Sequence, residues 1–154
     1  MNIRLREVEP GDLPLFFEHQ RDPEAAAVAG FTSRDRPAFD AHWAKLLAND
    51  ACLKRTVLAD GQVVGNFGSW TSDGKREVGY WIDRAYWGRG VASAALSAFL
   101  ELERTRPLYA GLVKHNVASL RVLEKCGFSL VSAADDHSGS ADDSGLLLVL
   151  TEDV

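Results

Sequence analysis

The chain has little sulfur. Its 154 residues include two cysteines, Cys52 and Cys126, and one methionine. Two isolated cysteines make neither a disulfide framework nor a spaced zinc site. The four histidines have no partners at metal-ligand spacing, so no metal is expected. No apolar run approaches the roughly 18 residues that span a bilayer, and no membrane association is expected. The opening Met1-Asn2-Ile3-Arg4-Leu5-Arg6 alternates apolar and polar side chains, unlike the continuous apolar stretch of a secretion signal. A cytoplasmic location is the resulting expectation. A basic surplus is also missing. Lys and Arg number 17 against 22 Asp and Glu, a net charge of −5, and the basic residues are scattered. That distribution argues against a nucleic-acid partner. No Gly-Lys-Ser/Thr sequence of a P-loop occurs, which removes that route to nucleotide binding.

What remains is an ordinary globular composition, 46% hydrophobic and 25% charged. The length suits one domain over residues 1–154 with a single core. Residues 3–8 alternate like a strand. Asp12 can cap a helix with Pro14 in its first turn, and Asp22-Pro23 interrupts it. A second helix is predicted over 37–48, with Phe39, Trp43, Leu46 and Leu47 on one face. Asp60-Gly61 between β-type runs at 56–59 and 62–70 is a strong hairpin signal. Residues 71–74 form the next turn and 77–82 the next strand. A helix running to about residue 103 follows, with an apolar stripe of Val91, Ala94, Ala95, Ala98, Phe99 and Leu102. Residues 108–113 read as a buried strand. Asn116 can cap a helix over 117–126 that Gly127 closes. Strands at 128–133 and 145–150 flank an acidic segment containing Asp135, Asp136, Asp142 and Asp143. The fold class is therefore mixed α/β. It predicts a mostly antiparallel sheet of six to seven strands flanked by about four helices.

The chemistry concentrates in three stretches. A strand carries Glu77-Val78-Gly79-Tyr80-Trp81-Ile82. The strand-to-helix turn carries Trp87-Gly88-Arg89-Gly90-Val91-Ala92. A glycine-rich turn opening a helix presents backbone N–H groups and the positive end of the helix dipole, which suits an anion. A later segment runs Asn116-Val117-Ala118-Ser119-Leu120-Arg121-Val122-Leu123-Glu124-Lys125-Cys126-Gly127-Phe128. In this order the three stretches resemble the GNAT superfamily of acetyl-CoA dependent N-acetyltransferases. The branch containing the ribosomal-protein N-terminal acetyltransferases is the most similar in these motifs.

The resemblance implies a GNAT-like fold, acetyl-CoA as co-substrate, and an amine acceptor, either a protein N-terminus or a small molecule. Homodimers are common in the family. It places the pyrophosphate on the turn of Trp87, Gly88, Arg89, Gly90, Val91, Ala92 and Ser93. Trp81 and Ile82 would lend backbone groups to the pantetheine arm, beside an edge that separates from the next strand. Gly79 is expected to mark a bulge there. Asn116 and Ser119 fall near the pantetheine and sulfur, and Lys125 near the adenosine phosphate. Asn116 and Ser119 also read simply as helix-start residues.

An acceptor amine with pKa near ~8 to ~10 must lose a proton before attack. Glu77 is the expected base, although a solvated strand-end glutamate is the bland alternative. Many relatives place a tyrosine acid where this chain has Leu123, which leaves Ser119 as the best substitute and Tyr80 and Tyr109 as weaker ones. A non-catalytic acyl-CoA-binding module is the competing reading. The acidic segment would attract a cationic amine, or serve as a solvated loop.

Overall fold

The computed structural model describes residues 1–131 and 145–151. Its order is β1 (Ile3–Arg6), α1 (Leu13–Arg21), α2 (Pro23–Ala29), α3 (Arg36–Ala48), β2 (Leu53–Ala59), β3 (Gln62–Ser72), β4 (Lys75–Ile82), α4 (Val91–Leu102), β5 (Leu108–Val113), α5 (Val117–Lys125), β6 (Ser129–Leu130) and β7 (Gly145–Leu150). The seven strands form one sheet in the order β1-β2-β3-β4-β5-β7-β6. All neighbours are antiparallel except β4 and β5.

Five α-helices stand among the described residues where about four were expected. The difference lies at Asp22-Pro23. Asp22 is extended at φ −60°, ψ 115°, and its side chain accepts from the Glu24 N–H, so the same residue ends α1 and caps α2. Asp12 departs from its expected role. Its side chain does not cap α1. It is buried and accepts from both Arg6 guanidinium nitrogens (2.7 and 2.9 Å), the Glu9 N–H (2.8 Å) and the Thr56 hydroxyl (2.7 Å). Burial pushes this carboxyl up, but these donors hold it below its ordinary value.

Asp60-Gly61 makes the first hairpin turn, with φ of 50° and 82°. The second turn is tighter than 71–74. Thr71 and Ser72 stay in the ladder opposite Arg76 and Lys75, and only Asp73-Gly74 turns. At the far end of the sheet, β6 is short; the expected strand beyond Val131 and the acidic segment lie outside the described residues.

The main core joins one sheet face to α4 and α5 through Val57, Val64, Phe67, Val78, Leu96, Phe99 and Leu123. In α4 the buried face is Val91, Ala95, Leu96 and Phe99, while Ala94 and Leu102 are exposed. This helix is apolar nearly all round, so the sequence pattern could not fix its inner face. Phe16, Phe39 and Trp43 form a smaller cluster with Val63 on the other face. Leu47, expected beside them, is exposed.

Candidate functional site: a cleft between two diverging strands

β4 and β5 pair only at Arg76↔Leu108 and Glu77↔Tyr109. Beyond Glu77 the strands part, and the β5-facing edge of 78–82 has no ladder partner on β5. The expected separation is therefore present, but Gly79 does not mark a bulge. The β3–β4 register runs without a break from Gly65↔Ile82 to Ser72↔Lys75. The register shift lies between β2 and β3, where Val57 pairs with Gly65 and Leu58 with Val63, leaving Val64 of β3 as the extra residue. Gly79 instead leaves room for a neighbour, because a Cβ there would stand 2.9 Å from the Trp70 ring.

A cavity of about 360 Å³ occupies this divergence. It is lined by Trp81, Ile82, Trp87, Gly88, Gly90, Val91, Ala92, Ser93, Asn116 and Ser119. Ten of the expected site residues thus share one wall. Arg89, Lys125 and Glu77 are not part of it. The Arg89 guanidinium lies over the Tyr86 ring, 5.0 Å from its centre. Arg121, one helical turn before Lys125, is the cation that α5 brings to the cavity. The pattern of the sequence offered no reason to prefer it. Ala25, Val28 and Ala29 of α2 complete the lining. Arg84 ties α2 down through Asp22 and, at 3.0 Å, Glu24.

The glycine turn has a geometry that can receive an anion. Gly88 and Gly90 take φ of 74° and 79°, the left-handed region that side chains disfavour. A Cβ at either would meet nothing within 4 Å, so conformation rather than crowding requires glycine. Gly90 is the N-cap of α4 and provides no side-chain cap, which leaves the first-turn amides available. Trp87 donates its indole N–H to the Ile82 carbonyl at 2.9 Å and so fixes the turn to the end of β4.

Asn116 caps α5 by accepting from the Ser119 N–H at 3.2 Å, so its structural role is real whether or not it also touches a ligand. The Ser119 hydroxyl stands 2.6 Å from the Tyr80 hydroxyl. Tyr80 is itself held by stacking on buried Phe67, with ring centres 4.7 Å apart and planes at 16°. Burial raises its pKa, opposed in part by the Ser119 hydrogen bond, so the phenol keeps its proton. Leu123 is 1% exposed and belongs to the core. The hydroxyl that meets Ser119 comes instead from Tyr80 on β4. Tyr109, the other weaker candidate, lines neither cavity.

A second cavity of about 580 Å³ shares Tyr80 and Trp81 with the first. Glu77 lies on the same face of β4 as Gly79 and Trp81, opposite Trp70, but is not among its lining residues. His42 is. Its pKa is lowered by burial and by the nearby Arg34 and Lys45 charges, so the ring is neutral near pH 7. His115, next to Asn116, bonds the Ala27 carbonyl at 2.9 Å.

A family model described as an acetyltransferase (GNAT) domain matches residues 2–129. The chain belongs to the GNAT acetyltransferase family. Among curated proteins, the probable N-acetyltransferase YjcK of Bacillus subtilis is 34% identical over 84 residues, 49% of this chain. The chain spans less than half of that relative, 46% of its length. An aminoglycoside acetyltransferase AAC(6')-Ib solved with coenzyme A shares the GNAT fold at a TM-score of 0.77 and 17% identity, covering 98% of this chain and 95% of its own. Mycobacterium smegmatis RimJ solved with CoA-disulfide does so at 0.73 and 22%, covering 97% and 81%. In this GNAT domain the cleft, the glycine turn and the Tyr80–Ser119 pair converge on one opening.

Proposed function

We propose that this chain transfers the acetyl group of acetyl-CoA directly to a primary amine in a ternary complex. One observation carries the reading. The uncapped glycine turn, the open edge of β4 and the Tyr80–Ser119 hydroxyl pair border a single cleft. The donor set fits the group: amides at a helix N-terminus suit a pyrophosphate, and a free strand edge suits an amide-bearing arm. Acetyl-CoA would supply an activated acetyl thioester.

The chain's own residues would do the rest. Backbone N–H groups from Gly88 to Ser93, with Arg121 nearby, would hold the phosphates. The edge of 78–82 would offer N–H and C=O groups to the pantetheine, and an N–H there would polarise the thioester carbonyl. Ser119 Oγ, with the Tyr80 hydroxyl behind it, would deliver a proton to the leaving sulfur. Glu77 would take the proton of the acceptor ammonium through a water, since it stands outside both cavity walls. His42 is the rival base, because its neutral imidazole lines the second cavity. The acceptor is a protein N-terminus, as the resemblance to the ribosomal-protein branch suggests, or a small-molecule amine. A structural neighbour, AAC(6')-Ib solved with ribostamycin and coenzyme A, gives the small-molecule option weight by analogy of fold alone.

The alternative, a non-catalytic acyl-CoA binder, rested on Leu123. The Tyr80–Ser119 pair weighs against it by offering a hydroxyl donor where Leu123 has none. Thiol release from acetyl-CoA over an amine panel tests the reading. Amine-dependent release supports it, and binding of CoA without release by any amine would overturn it.

A further inference from the structure

The second cavity carries information about the acceptor. Its walls are aromatic: Phe16, Phe31, Phe39, Trp43, Trp70 and Trp81 all line it. Its charged side chains are Arg34 and Lys54, and among the described residues it has no Asp or Glu. Lys54 is committed, donating to the Leu46 and Asn49 carbonyls at the end of α3 at 2.8 and 2.9 Å. Arg34 is not. Its backbone is clamped by Gln20, which accepts from the Arg34 N–H at 2.8 Å and donates to the Arg34 carbonyl at 3.1 Å. Its guanidinium rests over the Phe31 ring at 5.2 Å and meets no carboxylate among the described residues. The carboxylates closest in sequence are engaged elsewhere: Asp35 caps α3 and Asp40 faces Arg36 at 3.2 Å.

A polycation would gain nothing from such walls. It would lose hydration against aromatic rings and face a guanidinium that no carboxylate of the described residues balances. An apolar body carrying an anion matches both features, since Arg is suited to bind a carboxylate or phosphate through two nitrogens. Resting on the acetyl-transfer reading above, we propose that the acceptor is a primary amine with an aromatic or bulky apolar body and an anionic group that Arg34 binds. The free aromatic amino acids have this chemistry. Polyamines and aminoglycosides do not.

The test compares kcat/KM for L-phenylalanine, L-tryptophan, phenethylamine, L-phenylalanine amide, O-phosphoserine, spermidine and kanamycin. The expected order puts the aromatic amino acids first. Losing the carboxylate, as in phenethylamine and the amide, should cost about tenfold to a hundredfold, the worth of a charge-assisted hydrogen bond. In Arg34→Ala the ratio of phenylalanine to phenethylamine should fall toward one, and Arg34→Lys should restore part of it. A preference for spermidine or kanamycin would overturn the inference while leaving acetyl transfer intact. So would a preference for O-phosphoserine, which lacks the apolar body. Calorimetry with N-acetyl-L-phenylalanine on the CoA-loaded protein separates the two claims. Binding that Arg34→Ala weakens at least tenfold supports the site even if no amine turns over, and absence of binding overturns it.

Discussion

Replacing Tyr80 by Phe removes one hydroxyl and leaves the stack on Phe67 in place. The lost bond is a 2.6 Å neutral O–H···O contact in a half-buried site. Its net contribution to stability is about 1 kcal/mol, a fall in Tm of roughly 2–4 °C for a chain of this size. The catalytic effect should be larger. General acids contribute about 10²–10⁴ in rate, but a thiol of pKa near ~8.5 leaves readily, so the low end applies. Ser119 survives in this variant, and about a tenfold loss of kcat is expected. Ser119→Ala should lose a similar factor. The double variant should lose about a hundredfold or less, because the two hydroxyls act as a unit. KM for acetyl-CoA should move less than threefold. Steady-state thiol release with the best amine reads all four proteins. Because burial keeps the phenol protonated, wild-type kcat should not decline with a tyrosine-like pKa below about 10. A double variant that retains kcat within twofold would refute the assignment of these hydroxyls to the leaving group.

Gly90→Ala forces a side chain to φ 79°, where the left-handed region costs about 1–2 kcal/mol. It should weaken CoA binding about tenfold by calorimetry, whereas Gly11→Ala, with open space around it, should not. Glu77→Gln should lower kcat at least tenfold with CoA affinity retained; if His42→Gln does so instead, the base is His42. Acid should destabilise the fold in two stages. Burial lowers the His19 pKa against the partial opposition of Asp83 and Glu18, so the unfolded chain binds the proton first and stability falls as pH drops below about 6.5. Asp12 and Glu103 are held below their ordinary values, and their contribution is lost as pH drops further, below about 4. Urea midpoints from pH 8 to 3 should show both stages, and His19→Gln should reduce the upper one, to which His42 also contributes.

The motifs made the cleft legible because its chemistry is local. The glycine turn, the Asn116 cap and the Gly127 helix stop are short-range patterns; the Gly127 N–H reaches the Glu124 carbonyl at 3.0 Å and the Phe128 N–H the Leu123 carbonyl at 3.0 Å. What distant strands and helices bring together was not legible. Tyr80 and Ser119 lie 39 residues apart. Nothing in the alternation of β4 told a core tyrosine from one meeting a serine across the cleft. Asp12 looked like a cap because its partner Thr56 is 44 positions away. Lys125 and Arg121 are cations one turn apart on the same face of α5, and only where the cleft meets that helix along its length decides which of them reaches the cavity. The aromatic second cavity gathers residues from α1, α3, β3 and β4, which no single stretch displays.

The central claim is that this cleft turns bound acetyl-CoA into an acetylated amine. Stopped assays of thiol release with mass analysis of the amine test it most directly. The account predicts release that requires the amine, matches the acetylated product one to one, and falls together with it in the Tyr80→Phe, Ser119→Ala double variant. Tight CoA binding with no amine-dependent release, or release without an acetylated amine, would contradict it.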